Sequence, residues 1–261
     1  GTGQVATMDK TTFASDTTAA LPSGANLSVA RDKLAAVSSA TAGYFGGGIG
    51  SGTFSTMDKT TYSSDTTAAA PGAKLSAARH GLAATGNSTH GYFAGGGGYP
   101  TVSTMDKVTY ASDTTAAVPG ANLNVTRGYT FAGTGNSTHG YFAGGLSHDP
   151  GLSQLSSMEK ITYASDTTAA LPSGADLSIA RRGVTATGNS THGYFGGGIS
   201  PTYSTMDKVT YASDTAAAIP GAALSAARSY IGATGNTSAG YFGGGGPLPQ
   251  GPQISTMDKV T

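Results

Sequence analysis

The sequence predicts an all-β protein: a five-bladed β-propeller whose blades are four-stranded antiparallel sheets, with residues 1–261 forming one domain. Three observations carry this expectation. First, the block Met-Asp-Lys returns at Met8, Met57, Met105, Met206 and Met257, with Met158-Glu159-Lys160 in the place of one copy, at intervals of 49, 48, 53, 48 and 51 residues. A period near 50 that holds several short strands suits a propeller blade, whereas helical repeats are shorter. Second, the chain is rich in glycine (41 of 261) and poor in charge (11%), so it has few of the Leu, Glu and Lys residues that build helices. Third, turn-forming residues punctuate every period in the same order.

Each period accommodates four strands, lettered A to D from the propeller axis outward. Strand A follows an arginine and is exemplified by residues 82–85. Strand B covers 91–94 and ends at a glycine pair. Strand C covers 103–110, where Met105, Lys107 and Thr109 alternate with Thr104, Asp106, Val108 and Tyr110. Strand D covers 115–118. The turns between them read Gly-Asn (A to B), Gly-Gly (after B), Ser-Asp-Thr (C to D) and Pro-Gly (after D). Strand C begins near residues 7, 56, 104, 157 and 205, and a sixth copy spans 255–261. The chain therefore holds five A–B pairs, five D strands and six C strands. Propellers usually close by pairing terminal strands within one blade, which removes exposed edges. In this chain two C copies compete for that place, so one terminal C strand is expected to be displaced. The A strands, built from Ala, Gly, Thr and Val, favour a narrow five-fold axis. The alternatives are six blades, completed by further material, or a segment of a longer array.

The ordered set of arginine, apolar strand, aromatic strand ending in Gly-Gly, strand ending in Tyr, and fourth strand resembles the kelch repeat over the whole chain. The glycine pairs are Gly47-Gly48, Gly95-Gly96, Gly144-Gly145, Gly197-Gly198 and Gly244-Gly245. The arginines are Arg31, Arg79, Arg127, Arg181 and Arg228. The strand C aromatics are Phe13, Tyr62, Tyr110, Tyr163 and Tyr211. Kelch blades usually carry a Trp on strand D and this chain has none, so its blades must pack differently. The resemblance implies structural roles for these arginines and aromatics. One kelch-like enzyme, galactose oxidase, needs copper and a cysteine-modified tyrosine, and without cysteine that chemistry does not carry over.

No catalytic residue, metal ligand set or cofactor site is expected. Cysteine is absent, which removes disulfides, thiolate metal sites and thiol nucleophiles together. The glycine-rich stretches never continue into Gly-Lys-Ser or Gly-Lys-Thr, so they are not phosphate loops. No Ser-His-Asp arrangement stands out from the repeats. His90, His139 and His192 share one repeat position on separate blades, too far apart to bind one zinc ion. Basic and acidic residues balance at 14 each, so no overall field attracts nucleic acid, and no apolar run is long enough to span a membrane. The Asp of each Ser-Asp-Thr is expected to accept bonds from following N–H groups in an Asx turn. Adjacent Asp and Lys on strand C must face opposite sides of the sheet. The Asn-Ser-Thr and Asn-Thr-Ser sequons fall at the A–B turns, where Asn tolerates left-handed angles.

The repeats diverge only between Gly-Gly and the next Ser-Thr-Met. Segments free of the shared packing demands, carried on a rigid scaffold, are where recognition usually lies. Phe54, Tyr99, His148, Asp149, Tyr203 and Gln250 are the candidate ligand-binding residues. B–C and D–A loops should share one face. The expected partner is a glycan or a protein, met at a virion or cell surface. The expected context is an extracellular module, within a larger polypeptide or a homo-oligomeric fibre such as a phage tail fibre. Similar kelch-like segments occur in large phage and bacterial surface proteins. The alternative is an intracellular kelch-type adaptor.

Overall fold

A computed structural model describes residues 4–97, 99–149, 151–247 and 252–261. It is all-β and five-bladed, and blades 1 to 4 are antiparallel sheets with strands in the order A-B-C-D. Blade 1 comprises Ala35–Ser38, Ala42–Gly46, Met57–Thr61 and Thr66–Ala69. Blade 2 comprises Ala83–Gly86, His90–Ala94, Met105–Thr109 and Thr114–Ala117. Blade 3 comprises Ala132–Gly135, His139–Ala143, Met158–Thr162 and Thr167–Ala170, and blade 4 Thr185–Gly188, His192–Gly196, Met206–Thr210 and Thr215–Ala218. Blade 5 has three strands, Gly232–Gly235, Gly240–Gly243 and Met257–Val260.

The competition between the two terminal C strands is resolved in favour of chain order. The C-terminal copy pairs with the B strand that directly precedes it, Gly243 opposite Met257 and Tyr241 opposite Lys259. The N-terminal copy, Asp9–Thr12, stays with its own D strand, Thr17–Ala20, as a separate two-stranded sheet. Pairing of the N- and C-terminal strands within one blade therefore does not occur. The hairpin keeps its short local turn, and the blade keeps its local B–C connection, so neither bears the loop-closure entropy of a distant pairing.

Register explains the pattern within a blade. Tyr92 lies opposite Lys107 and Phe93 opposite Asp106, so Tyr and Lys share one face of the sheet and Phe and Asp the other. On the second face, the Phe ring lodges against the preceding blade: the Gly46 position sits beside Phe93 and the Met57 methyl. Phe93, Phe142, Phe195 and Phe242 are fully buried there. At the axis, strand A of each blade packs on strand A of the next from blade 1 through blade 5. This approach explains the glycine of each Gly-Tyr-Phe. A Cβ on Gly140 would lie 2.3 Å from the Thr85 methyl, and one on Gly193 would lie 2.4 Å from that of Thr134.

Candidate functional site

Three sets of repeated side chains hold the blades. The arginine that opens each blade is buried and ion-paired with the acid of its own strand C. Arg31 meets Asp58 at 2.7 Å, Arg79 meets Asp106 at 2.6 Å, Arg127 meets Glu159 at 2.9 Å and Arg181 meets Asp207 at 2.7 Å, and Arg228 pairs with Asp258. The same guanidinium reaches a carbonyl near the end of strand B, as Arg79 does to Phe93 and Arg181 to Phe195. The planar fork thus ties the D–A loop to two strands at once. The sequence marks these arginines as structural but does not show the acid that each one meets. Alternation signals only that Asp leaves Lys on the other face, without naming its partner.

The second set joins neighbouring blades. The turn Asp between strands C and D accepts from the Lys and Tyr of the blade before it. Asp113 takes Lys59 at 2.8 Å and Tyr44 at 2.5 Å. Asp166 takes Lys107 at 2.8 Å and Tyr92 at 2.5 Å, and Asp214 takes Tyr141 at 2.7 Å together with Lys160. This corrects the Asx-turn expectation: the carboxylates are turned outward to the preceding blade. Their backbones are left-handed, φ 49–52° at Asp16, Asp65, Asp113, Asp166 and Asp214, a conformation Asp tolerates better than most residues. Burial alone would raise the Asp113, Asp166 and Asp214 carboxyls, but the Lys and Tyr hydrogen bonds outweigh it and hold them below the usual value of 3.8.

The third set is a stack. Tyr44 lies on Tyr110 and Tyr92 on Tyr163, each with centroids 5.1 Å apart, Tyr141 lies on Tyr211 at 4.8 Å, and Phe13 on Tyr241 at 5.5 Å. Burial pushes the Tyr211 phenol up to about 12.

The A–B turns are built differently from the expectation too. Asn87 does not adopt a left-handed angle. Its Oδ1 accepts from the Thr89 and His90 N–H groups, each at 2.9 Å. His90, His139 and His192 each meet a neighbouring Thr hydroxyl through Nδ1. Among the described residues no group of three or more His, Asp or Glu is placed to hold a metal ion. No helix among them is long and apolar enough to cross a membrane.

With those residues committed to the scaffold, the candidate site lies on the loop face. B–C and D–A loops are bridged to each other at Asp32–Ile49, Gly128–Leu146, Arg182–Ile199 and Ser229–Gly246. Tyr99 projects from this face at 84% exposure and meets the His148 ring edge-on at 4.8 Å. The Tyr129 ring lies 5.6 Å from that of His148, tilted to it, and the Arg182 guanidinium sits 5.7 Å from the Tyr129 ring. Loops of blades 2, 3 and 4 thus converge on one aromatic and cationic cluster. Thr101 anchors it by accepting from the His148 N–H at 3.2 Å. Nδ1 of His148, Nε of Arg182 and Oγ1 of Thr130 are buried with no hydrogen-bond partner among the described residues, and such unmet capacity at a surface cluster suits a polar ligand.

Of the sequence candidates, Tyr99 and His148 belong to this cluster. Asp149 follows His148 and is exposed. Phe54 and Tyr203 occupy a different position, where the loop turns back toward strand C. Phe54 is half-buried with Arg31 6.0 Å from its ring, and the Tyr203 hydroxyl donates to the Ser200 carbonyl at 3.0 Å. Gln250 lies outside the described residues. Sequence reasoning missed Tyr129 and Arg182. A signal existed: Lys33, Gly81, Tyr129, Gly183 and Tyr230 share one repeat position, all with positive φ. A tyrosine in a place suited to glycine is held at an energetic cost of about 1–2 kcal/mol, and such strain clusters where side chains have work to do.

Comparison with the profiles of known protein families gives no match, and comparison with curated proteins gives none either. The arrangement defines a five-bladed β-propeller.

Proposed function

We propose that this chain is a non-enzymatic binding and structural module of kelch type, displayed on a virion or cell surface, which recognises a glycan or protein through its variable loop face. It serves there as part of a larger polypeptide or a homo-oligomeric fibre. The observation that carries this reading is the Tyr99, Tyr129, His148 and Arg182 cluster. It combines an exposed aromatic ring, a second ring held in a strained turn, and a cation, gathered from neighbouring B–C and D–A loops. Aromatic faces with a few polar groups suit sugar rings and protein hot spots alike. The experiment is a screen of immobilised glycans and host-surface extracts with the protein and with a variant whose B–C loops are replaced by Gly-Ser. Attachment that survives this exchange unchanged refutes the reading.

A further inference from the structure

The hairpin of residues 9–20 occupies a sixth sector, between blade 5 and blade 1, and holds only the C and D positions of a blade. Its outer neighbours treat it as one. Lys259 of blade 5 bonds Asp16 of the hairpin at 2.8 Å, and Lys10 of the hairpin bonds Asp65 of blade 1 at 2.7 Å, repeating the link found between all complete neighbours. The A and B positions of the sector are open. A cavity of about 810 Å³ lies there, lined by Asp9 and Thr11 of the hairpin, Phe45 of blade 1, and Thr234, Tyr241 and Met257 of blade 5. Among the described residues, no strand pairs with the inward edge of Asp9–Thr12.

Among the described residues, the repeated contacts that an A–B pair makes elsewhere are missing at this sector. Tyr62 is 44% exposed, whereas its counterparts Tyr163 and Tyr211 are buried under the Tyr of the preceding strand B. Among the described residues, Asp65 accepts from Lys10 but from no tyrosine, unlike Asp16, Asp113, Asp166 and Asp214. Phe45 is half-buried while the other four are fully buried, and Met257 is 43% exposed while Met57, Met105, Met158 and Met206 are buried. Thr234 is exposed on the axis where Thr85 and Thr134 are buried. The N–H groups of Gly48, Gly96, Gly145 and Gly198 donate to the carbonyl of the next blade's arginine, and Gly245 has no such acceptor among the described residues.

We infer that this sector is a docking slot for one further β-hairpin of the repeat's own inner-pair sequence. The loose ends specify the occupant. An arginine carbonyl answers Gly245, a tyrosine stacks on Tyr62 and donates to Asp65, a phenylalanine covers Met257, and small residues receive Phe45. A strand B pairs with the free edge of Asp9–Thr12, which is strand addition to an open sheet edge. A second copy of the chain does not meet this need. Its five inner pairs are enclosed in its own blades, and exchanging one would only move the opening to the donor.

The test uses a synthetic peptide with the sequence of residues 79–96, added to the whole chain and followed by calorimetry and amide hydrogen exchange. The expected result is one peptide per chain, slowed exchange across residues 9–12, and at least tenfold weaker binding when the peptide tyrosine is Phe or the chain carries Asp65→Asn. Because a free hairpin must also be ordered on binding, a second arm fuses the same segment ahead of residue 4. A higher Tm than a scrambled fusion is expected. Equal Tm values for the two fusions overturn the inference. So does exchange in the unfused chain that is already slow across residues 9–12, or a dimer in solution that buries Tyr62. Loss of glycan or protein attachment leaves these readouts unaffected, so this inference and the proposed function fail separately.

Discussion

The buried Arg181–Asp207 pair offers the sharpest test of what holds a blade. Both side chains are fully buried. The guanidinium also donates to the Phe195 and Ile179 carbonyls, each at 3.3 Å, and Asp207 additionally accepts from the Ser178 N–H at 3.2 Å. Arg181→Met removes the countercharge while leaving the carboxylate in a site closed to water. Breaking a buried pair from one side costs about 3–5 kcal/mol. At about 2–4 °C per kcal/mol for a chain near this size, that is a fall in Tm of roughly 6–20 °C. Adding Asp207→Leu should return a large part of the loss, because two apolar groups of similar volume often match a buried ion pair. The assay is urea unfolding of the four members of the double-mutant cycle, with Arg181→Lys as a fifth. Lysine keeps the charge but lacks the fork that spans two strands, so it should fall between wild type and Met. If Arg181→Met costs less than about 1 kcal/mol, a value typical of exposed pairs, the pairing does not hold the blade as argued. A double variant as unstable as the sum of its singles refutes the coupling itself.

Other outcomes follow from the same contacts. Gly140→Ala places a methyl 2.3 Å from the Thr85 methyl and should cost about 1–3 kcal/mol by overpacking, whereas Gly174→Ala, with nothing within 4 Å, should stay within about 0.5 kcal/mol of wild type; thermal unfolding separates them. Tyr129→Gly should raise stability by about 1 kcal/mol through relief of the left-handed strain while weakening ligand attachment, measured on the same preparation. The pH profile of stability should be a plateau. Asp113, Asp166 and Asp214 are held below 3.8, so their contribution is full above that value and is lost as pH falls through the folded value. Tyr211 is raised from 10 to about 12, so its contribution is full below 10 and is lost as pH rises toward 12. Urea midpoints across pH expose both shoulders, and a midpoint that climbs as acid is added contradicts the signs.

The blades were legible because their demands repeat. Each glycine pair, each Gly-Tyr-Phe and each Asp-Lys answers the same neighbour, and so the spelling returns every 50 residues. What could not be read was which groups meet across that spacing. Asp113 sits in a local turn, and local chemistry suggests an Asx motif, yet its partners Lys59 and Tyr44 lie 54 and 69 residues away. Closure was hidden for a related reason: Met8 and Met257 head nearly identical strands, so sequence alone cannot rank their claims on one B edge, while chain connectivity can. At the loop face, Tyr99 and His148 stood out as divergent residues. Tyr129 was masked because its neighbourhood otherwise copies the repeat, and only comparison with Gly81 and Gly183 marks it as unusual.

The link between blades has a direction, with Tyr and Lys offered on one side and Asp on the other. A joint of this head-to-tail kind contains no instruction to stop. The number of blades is then not written in any single contact but in the angle each one subtends, as the number of staves in a barrel follows from the bevel of their edges. Whole repeats can then be added or removed with the same side-chain partners at every joint, provided that this angle shifts to suit the new count.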